Sequence, residues 1–289
     1  MSADIFTPES NFPWLLYAYP WMPYPRRVSL YLSEKRISST AIQIVHVSDP
    51  QAGNCVVPSQ ASKYPPRPAG SLPILAIPPS AGRTETLYIR QSMAIINFLE
   101  EQCAPSGELK HVGARELVTG KNVIERARLM ELLTLAEELT VSWNSVRTFG
   151  TKAGTMVYPA GAKEMLRWVH RTLHTINDIL ASPDHAMRVA SIADDEEPVS
   201  VADIVLYQFL EFVDDCYGVD VTKGSGDVKK DVYGREVKET YIGLEEFYEG
   251  FKKRRSAERN EQAGEVANDA VLERLKFWYD GVLPGGSSS

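Results

Sequence analysis

Two short apolar runs with a helical stripe between them occupy the first half of the N-terminal hundred residues. Two more runs and a second stripe fill the rest, and this order leaves few folds open. Trp14 to Tyr19 (WLLYAY) is apolar and aromatic and ends at Pro20, the pattern of a buried strand. Pro23 and Pro25 follow, then a segment in which Val28, Leu30, Tyr31 and Leu32 fit a buried helix face. Proline suits a first helical turn, where its missing N–H costs nothing. Thr40 to Val47 (TAIQIVHV) is rich in β-formers and completes a βαβ unit. Residues 48–71 carry many Pro, Ser and Gly and read as loop. PILAI from Pro73 and TLYI from Thr86 are two short strands joined by a Pro/Gly turn. Gln91 to Gln102 then places Ile95, Ile96 and Leu99 at helical spacing. The order is βαβ, loop, ββα.

Pro105 and Gly107 sit in a short polar stretch that reads as a domain boundary, and beyond it the pattern is helical. Stripes run through 115–147 and 162–181, and residues 201–217 are apolar on nearly all sides, as a central buried helix requires. A last helix is expected over 267–282. Residues 218–266 are charged, with a hairpin expected around Tyr233-Gly234 and a short helix striped by Leu244, Phe247, Tyr248 and Phe251. Lys252 to Arg255 reads as a solvated basic face. The expected domains are therefore 12–104 and 112–283, the second carrying 218–266 as a charged insertion, with 284–289 as a disordered tail.

A net charge of −7 argues against nucleic acid as a partner, because phosphate binding needs a basic surface. No apolar run approaches the ~20 residues that span a bilayer, so no membrane partner is expected. Cys55, Cys103 and Cys216 are odd in number and far apart, which reads as free thiols in a reducing compartment. With no secretory signal at the N-terminus, a cytoplasmic location is the expectation. His46, His111, His170, His174 and His185 show no metal or triad spacing, so no metal is expected.

The segments LYAYPWMPYPRRVSLYL (Leu16 to Leu32), SLPIL (Ser71 to Leu75), QSMAIINFLEE (Gln91 to Glu101) and PVSVADIVLYQF (Pro198 to Phe209), in this order and at this spacing, resemble the glutathione transferase superfamily. The class most similar by these segments is the zeta class, which includes maleylacetoacetate isomerase; fungal transferases of secondary metabolism are similar too. The resemblance implies an N-terminal thioredoxin-like domain, a C-terminal all-helical bundle, glutathione as co-substrate, a small-molecule electrophile as partner, and a C2 homodimer.

It also implies roles for particular residues. Leu72-Pro73 would be a cis peptide bond, whose bend offers the Leu72 backbone to the cysteinyl backbone of glutathione like an added strand. Gln91 and Ser92 open a helix directly after a strand, and a helix N-terminus offers free N–H groups and partial positive charge to a carboxylate. Their family role is to hold the γ-glutamyl carboxylate. Lys63 and Arg67, in the loop before the proline, are the candidates for the glycyl carboxylate. At the tip of the first helix the zeta class carries Ser-Ser-Cys, whereas this chain has Met22-Pro23-Tyr24. A hydroxyl donor beside a helix N-terminus stabilises a thiolate. Tyr24 stands where such a donor would act, and it reads equally as an aromatic wall of the pocket. Tyr17 and Tyr19 read as strand residues. Ser200 and Asp203, three apart before an apolar helix, form a capping-box pattern with a folding role.

Two functions follow. The first is a glutathione-dependent transferase acting on a conjugated electrophile, with cis–trans isomerisation by reversible thiolate addition as a sub-case. The second, from the missing Ser or Cys, is a non-catalytic glutathione-fold module. A dithiol redox protein lacks its C-x-x-C.

Overall fold

The computed structural model describes residues 13–48, 56–79, 83–259, 277–279 and 281–283, without the Asp184 side chain. They fall into two units. The first runs to Leu117 and includes Glu258 and Arg259; the second holds Val118–Ala257 and the described residues from Phe277 onward. Backbone bonds mark the changeover. The Arg115 N–H donates to the Lys35 carbonyl at 2.8 Å, and the Val118 N–H donates to the Val199 carbonyl at 2.9 Å.

In the first unit, β1 (Trp14–Ala18), α1 (Pro23–Glu34) and β2 (Ile42–His46) form the βαβ unit. A one-turn α2 (Pro58–Ala61) precedes β3 (Ile74–Ile77), β4 (Leu87–Arg90) and α3 (Ser92–Cys103). The sheet order is β2-β1-β3-β4. β1 and β2 are parallel, and β3 is antiparallel to both β1 and β4.

Side chains alternate across this sheet as strand geometry dictates. Leu15, Tyr17, Val45, Ile74 and Ala76 make one buried cluster, against which Val56, Tyr64 and Tyr88 pack. Leu16, Ala18, Leu75 and Ile77, on the other face, are equally buried. The helices α1 and α3 pack on each other and on β1 and β4, and Trp14 of β1 stacks on Phe98 of α3 at 5.9 Å. The edge of β2 is closed by Gln60, whose amide donates to the Ile44 carbonyl and whose oxygen accepts the His46 N–H. An edge strand covered in this way offers no ladder to another chain.

The second unit contains α4 (Val123–Gly150), α5 (Pro159–Leu180), α6 (Pro183–Ser191), α7 (Val201–Tyr217), the hairpin β5 (Val228–Lys230) with β6 (Glu236–Lys238), and α8 (Ile242–Phe251). The stripe expected from residue 115 becomes helical only at Val123. Asn122 caps it, its Oδ1 accepting the N–H groups of Ile124 and Glu125 at 2.9 and 3.0 Å. α7 is buried along nearly its whole length, as its unbroken apolar sequence requires. It opens on the Ser200–Asp203 capping box and ends at Gly218 in the left-handed conformation, φ 66°. Trp143 of α4 is sealed among Phe209, Tyr217 and Trp278.

The hairpin forms around Tyr233-Gly234, and the stripe of α8 is buried. The basic run 252–255 departs from a solvated face. Lys252, Lys253 and Arg255 are exposed, but Arg254 is 1% exposed. Its guanidinium donates to the carbonyls of Ile192, Asp194 and Glu197 at 2.7, 2.7 and 3.0 Å. The helix expected over 267–282 falls largely outside the described residues, as does the tail 284–289.

Candidate functional site

The topology of the first unit brings three chain segments to one end of its sheet. β1 and β4 both run antiparallel to β3, so their C-terminal ends lie at the start of β3. α1 follows β1 and α3 follows β4, and both helices therefore begin at that end. Ile74 pairs with Tyr17 on one side and with Arg90 on the other. Pro73 and Leu72 directly precede Ile74, and Gln91 and Ser92 directly follow Arg90. Candidate residues some 20 positions apart in sequence are thus brought to the same end of the sheet.

The Leu72-Pro73 bond is cis. Leu72 precedes the strand pairing, and its backbone N–H and carbonyl make no hydrogen bond among the described residues. Beside it, Gln91 caps α3 with φ 71° and ψ 122°, a conformation outside the ordinary basins of an L-residue. Non-glycine residues hold such angles where the surrounding fold imposes them, and such sites concentrate where ligands bind. Ser92 is the first helical residue and 4% exposed, yet its hydroxyl makes no hydrogen bond among the described residues. The helix tip offers this hydroxyl and its opening N–H groups together, which is the donor set that a carboxylate needs.

The loop leading into Leu72 is braced from two sides. Arg67 is buried and donates to the Gly70 carbonyl at 2.8 Å, and Arg90 donates to the Ala69 carbonyl at 3.3 Å. Gly70 has φ 123°, a conformation that favours glycine, and a Cβ there would lie 3.1 Å from Arg90 Nε, close enough to push this guanidinium aside by a few tenths of an ångström. Arg67 is thus engaged with its own loop. Lys63 is exposed, and its ammonium has no partner among the described residues.

At the tip of α1, Pro23 and Pro25 carry no N–H, and the Arg26 N–H donates to the Met22 carbonyl at 3.1 Å. Tyr24 therefore supplies the one main-chain N–H of the first three helical positions. Its ring is half-buried, with the Arg27 guanidinium 5.0 Å from the ring centroid. The neighbouring tyrosines serve the fold. Tyr17 is fully buried and donates to the Pro65 carbonyl at 3.2 Å, and burial, with Tyr88 close by, raises its pKa far above the usual phenol value. Tyr19 is fully buried too. The contribution of Pro23 and Pro25, which strip donors from the helix tip, was readable from the sequence; the bracing role of Arg90 was not.

Among the described residues no group of three or more His, Cys, Asp or Glu side chains is placed to hold a metal ion. Among them, too, no helix is long and apolar enough to cross a membrane.

A thioredoxin-like sheet with α1 and α3 opening at one end, followed in sequence by a unit that is helical apart from the hairpin β5–β6, defines the glutathione transferase fold, and the solved structures agree. The chain is similar to a glutathione transferase family member from Pseudomonas fluorescens Pf-5 with bound glutathione, at 18% identity and TM-score 0.53, over 84% of this chain and 96% of that one. It is similar to Ure2p in complex with glutathione, at 13% identity and TM-score 0.54, over 86% and 97%. It is also similar to glutathione transferase Omega 2C from Trametes versicolor, at 14% identity and TM-score 0.52, over 91% and 97%. No protein-family model matches the sequence, and no curated protein does.

Proposed function

We propose that the chain is a glutathione-dependent transferase acting on a conjugated, electrophilic small molecule. The observation that carries this reading is that the open Leu72 backbone and the unbonded Ser92 hydroxyl at the tip of α3, next to the constrained Gln91, stand at the same end of the sheet. The bound glutathione in two of the similar structures supports it. Leu72 pairs with the cysteinyl backbone, and Gln91 and Ser92 hold the γ-glutamyl carboxylate. Of Lys63 and Arg67, Lys63 takes the glycyl carboxylate, since Arg67 is bonded to Gly70. The thiol then lies at the tip of α1, where Tyr24 offers its N–H and hydroxyl to the sulfur.

The thiolate adds to the β-carbon of a conjugated carbonyl compound. A C–S bond forms as the π pair moves onto the carbonyl oxygen, and protonation at the α-carbon completes transfer. In the zeta-like sub-case the former double bond rotates, the electron pair returns, the C–S bond breaks, and a geometric isomer leaves with glutathione regenerated. The same family resemblance carries the cytoplasmic location, the homodimer and the place in secondary metabolism that belong to this reading.

Calorimetry with glutathione tests the site. Binding is expected at or below millimolar levels, weakened about tenfold by Ser92→Ala, the loss of one charge-assisted hydrogen bond. Tyr24→Phe should leave binding in place and lower turnover of a conjugated enone by about tenfold or more. No uptake of glutathione would overturn the proposal. Total glutathione separates the two chemistries, since transfer consumes it and isomerisation does not. The Met22-Pro23-Tyr24 sequence, without Ser or Cys, favours a second reading as a non-catalytic binding module. That reading predicts tight binding with no turnover and no change in the thiol pKa of bound glutathione.

A further inference from the structure

The second unit contains a cavity of about 680 Å³, within the range of ~300–1,000 Å³ typical of small-molecule sites. One wall is a single stripe of α5, with Lys163, Leu166, Arg167, His170, Arg171 and His174 at three- and four-residue spacing. The hairpin β5–β6 and the connection that follows α7 form the facing wall, and Val282 and Leu283 of the C-terminal segment complete it.

The hairpin is held on α5 by specific contacts. Arg167 Nη2 donates to the Asp231 carbonyl at 2.5 Å, the Tyr233 ring meets Trp168 edge-on at 6.4 Å, and the Arg171 guanidinium lies 5.7 Å from the Tyr233 ring centroid. At the base of the hairpin, the Gly226 N–H donates to the Glu239 carbonyl at 2.9 Å. A Cβ on Gly224 would fall 2.4 Å from that same oxygen, so the chain can cross there only as glycine, with φ 57°.

The charges of the lining do not cancel. Five Lys and Arg side chains face three carboxylates; Arg167 and Arg171 are paired with Glu164 and Glu138 outside the lining, at 2.9 and 3.7 Å, and each carboxylate of the lining is itself engaged. Glu239 accepts from Lys229 and Ser225, both at 2.6 Å. Asp231 accepts the N–H groups of Tyr233 and Arg235 and the Arg235 guanidinium at 2.7–2.8 Å. Asp220 accepts the Thr222 hydroxyl at 2.5 Å and pairs with Lys223 at 3.4 Å. Lys163 and Lys230, by contrast, have no ion pair among the described residues. They flank the Arg167–Asp231 contact, Lys163 one helical turn before Arg167 and Lys230 directly before Asp231. Uncompensated cations therefore gather at one side of a cavity whose remaining walls include Leu166, Val221, Val237, Val282 and Leu283.

The geometry points to a second ligand site here, taking a small apolar molecule with one anionic head, a carboxylate, sulfate or phosphate. Lys163 and Lys230 hold the head, beside an Arg167 that is already paired with Glu164 at 2.9 Å, and the valine and leucine walls hold the body. The site lies wholly within the second unit and does not rest on the glutathione reading.

Two fluorescent probes that differ in the anionic group test it: 8-anilinonaphthalene-1-sulfonate and the neutral N-phenyl-1-naphthylamine. The full chain should take up the sulfonate saturably, about tenfold more tightly than the neutral probe, as one charge-assisted contact would give. The Lys163→Ala/Lys230→Ala double variant changes only exposed side chains, so its unfolding temperature should hold. It should bind the sulfonate about tenfold more weakly and the neutral probe as before. Val237→Trp, which fills the cavity, should abolish uptake of both. Unchanged sulfonate affinity in the double variant, or displacement of the sulfonate by S-hexylglutathione, would overturn the assignment.

Discussion

Arg188 holds a guanidinium nitrogen 2.7 Å from Oδ1 of Asp203, while Oδ2 of the same carboxylate accepts the backbone N–H and the hydroxyl of Ser200 at 2.8 and 2.7 Å. Asp203 is fully buried. The capping box at the start of α7 is therefore also an ion pair with α6, and its two members should differ in their effect on stability. Ser200→Ala removes one cap and should cost about 1 kcal/mol. Asp203→Ala strands the Arg188 charge and the Ser200 N–H and should cost about 3–5 kcal/mol. Equal, small losses in denaturant melts of the two variants would mean that the carboxylate only caps.

Arg254 offers a second stability test. It gathers three carbonyls from the segment after α6, and Arg254→Met would leave the buried Ile192 carbonyl and the part-buried Asp194 and Glu197 carbonyls without these donors. An unsatisfied buried acceptor costs about 1–3 kcal/mol, and the two that water can reach cost less, so a loss of about 2 kcal/mol is expected. Lys is the sharper comparison. A single ammonium cannot reproduce the planar fork, and Arg254→Lys should recover less than half of the stability that Met loses. Full recovery by Lys would show that charge alone matters.

These two contacts also show what the sequence could and could not reveal. The capping box was legible because its members are three residues apart and precede an apolar run. The strands were legible because buried strands are short apolar runs bounded by proline and glycine, and the hairpin because Tyr233-Gly234 interrupts a charged stretch. α6 was missed: of its nine residues, Asp184 left aside, Val189 and His185 alone are deeply buried, which leaves little periodic signal. Arg254 read as solvated because its acceptors lie about 60 residues away, and nothing local separates it from Lys253. At the candidate site, Leu72, Pro73, Gln91 and Ser92 could be named from motifs. The engagement of Arg67 with Gly70, and of Arg90 with Ala69, is a matter of side-chain direction that sequence spacing does not carry. The cavity beside α5 belongs to the same class, since its two walls are some 60 residues apart.

Gln91 permits an experiment in which stability and binding move in opposite directions. A non-glycine residue at φ 71° carries strain of about 1–3 kcal/mol, and glycine relieves it at an entropic cost of about 0.5–1 kcal/mol. Gln91→Gly should therefore stabilise the chain by about 1 kcal/mol in thermal or denaturant melts. The same change removes the amide proposed to meet the γ-glutamyl carboxylate and loosens the tip of α3, so glutathione affinity should fall. A variant that loses stability and keeps its affinity would show that Gln91 serves the fold and not the ligand.

The histidine at the second cavity gives the chain a pH response of known sign. Burial lowers the pKa of His170 below its ordinary 6.5, against the upward pull of Glu239, with Lys229 and His174 adding to the downward shift. Its Nδ1 lies 3.0 Å from the Tyr241 hydroxyl and 3.7 Å from the Glu239 carboxylate. Well above 6.5 the ring is neutral in both folded and unfolded chains and contributes no pH dependence. Below 6.5 the unfolded chain takes up the proton first, so stability falls with acid until the folded value is reached. His174 is shifted down as well, by burial first, and adds to the same window. Glu239 titrates lower: burial pushes its carboxyl up, but the bonds from Lys229 and Ser225 outweigh this and hold it below 4.5, so its loss of stability belongs to more acid conditions. Denaturant melts of the wild type at pH 7.5 and pH 5.5 should show a drop that His170→Gln reduces, with the variant and the wild type drawing together at the lower pH. A drop of the same size in the variant would assign the response to His174 or to other groups.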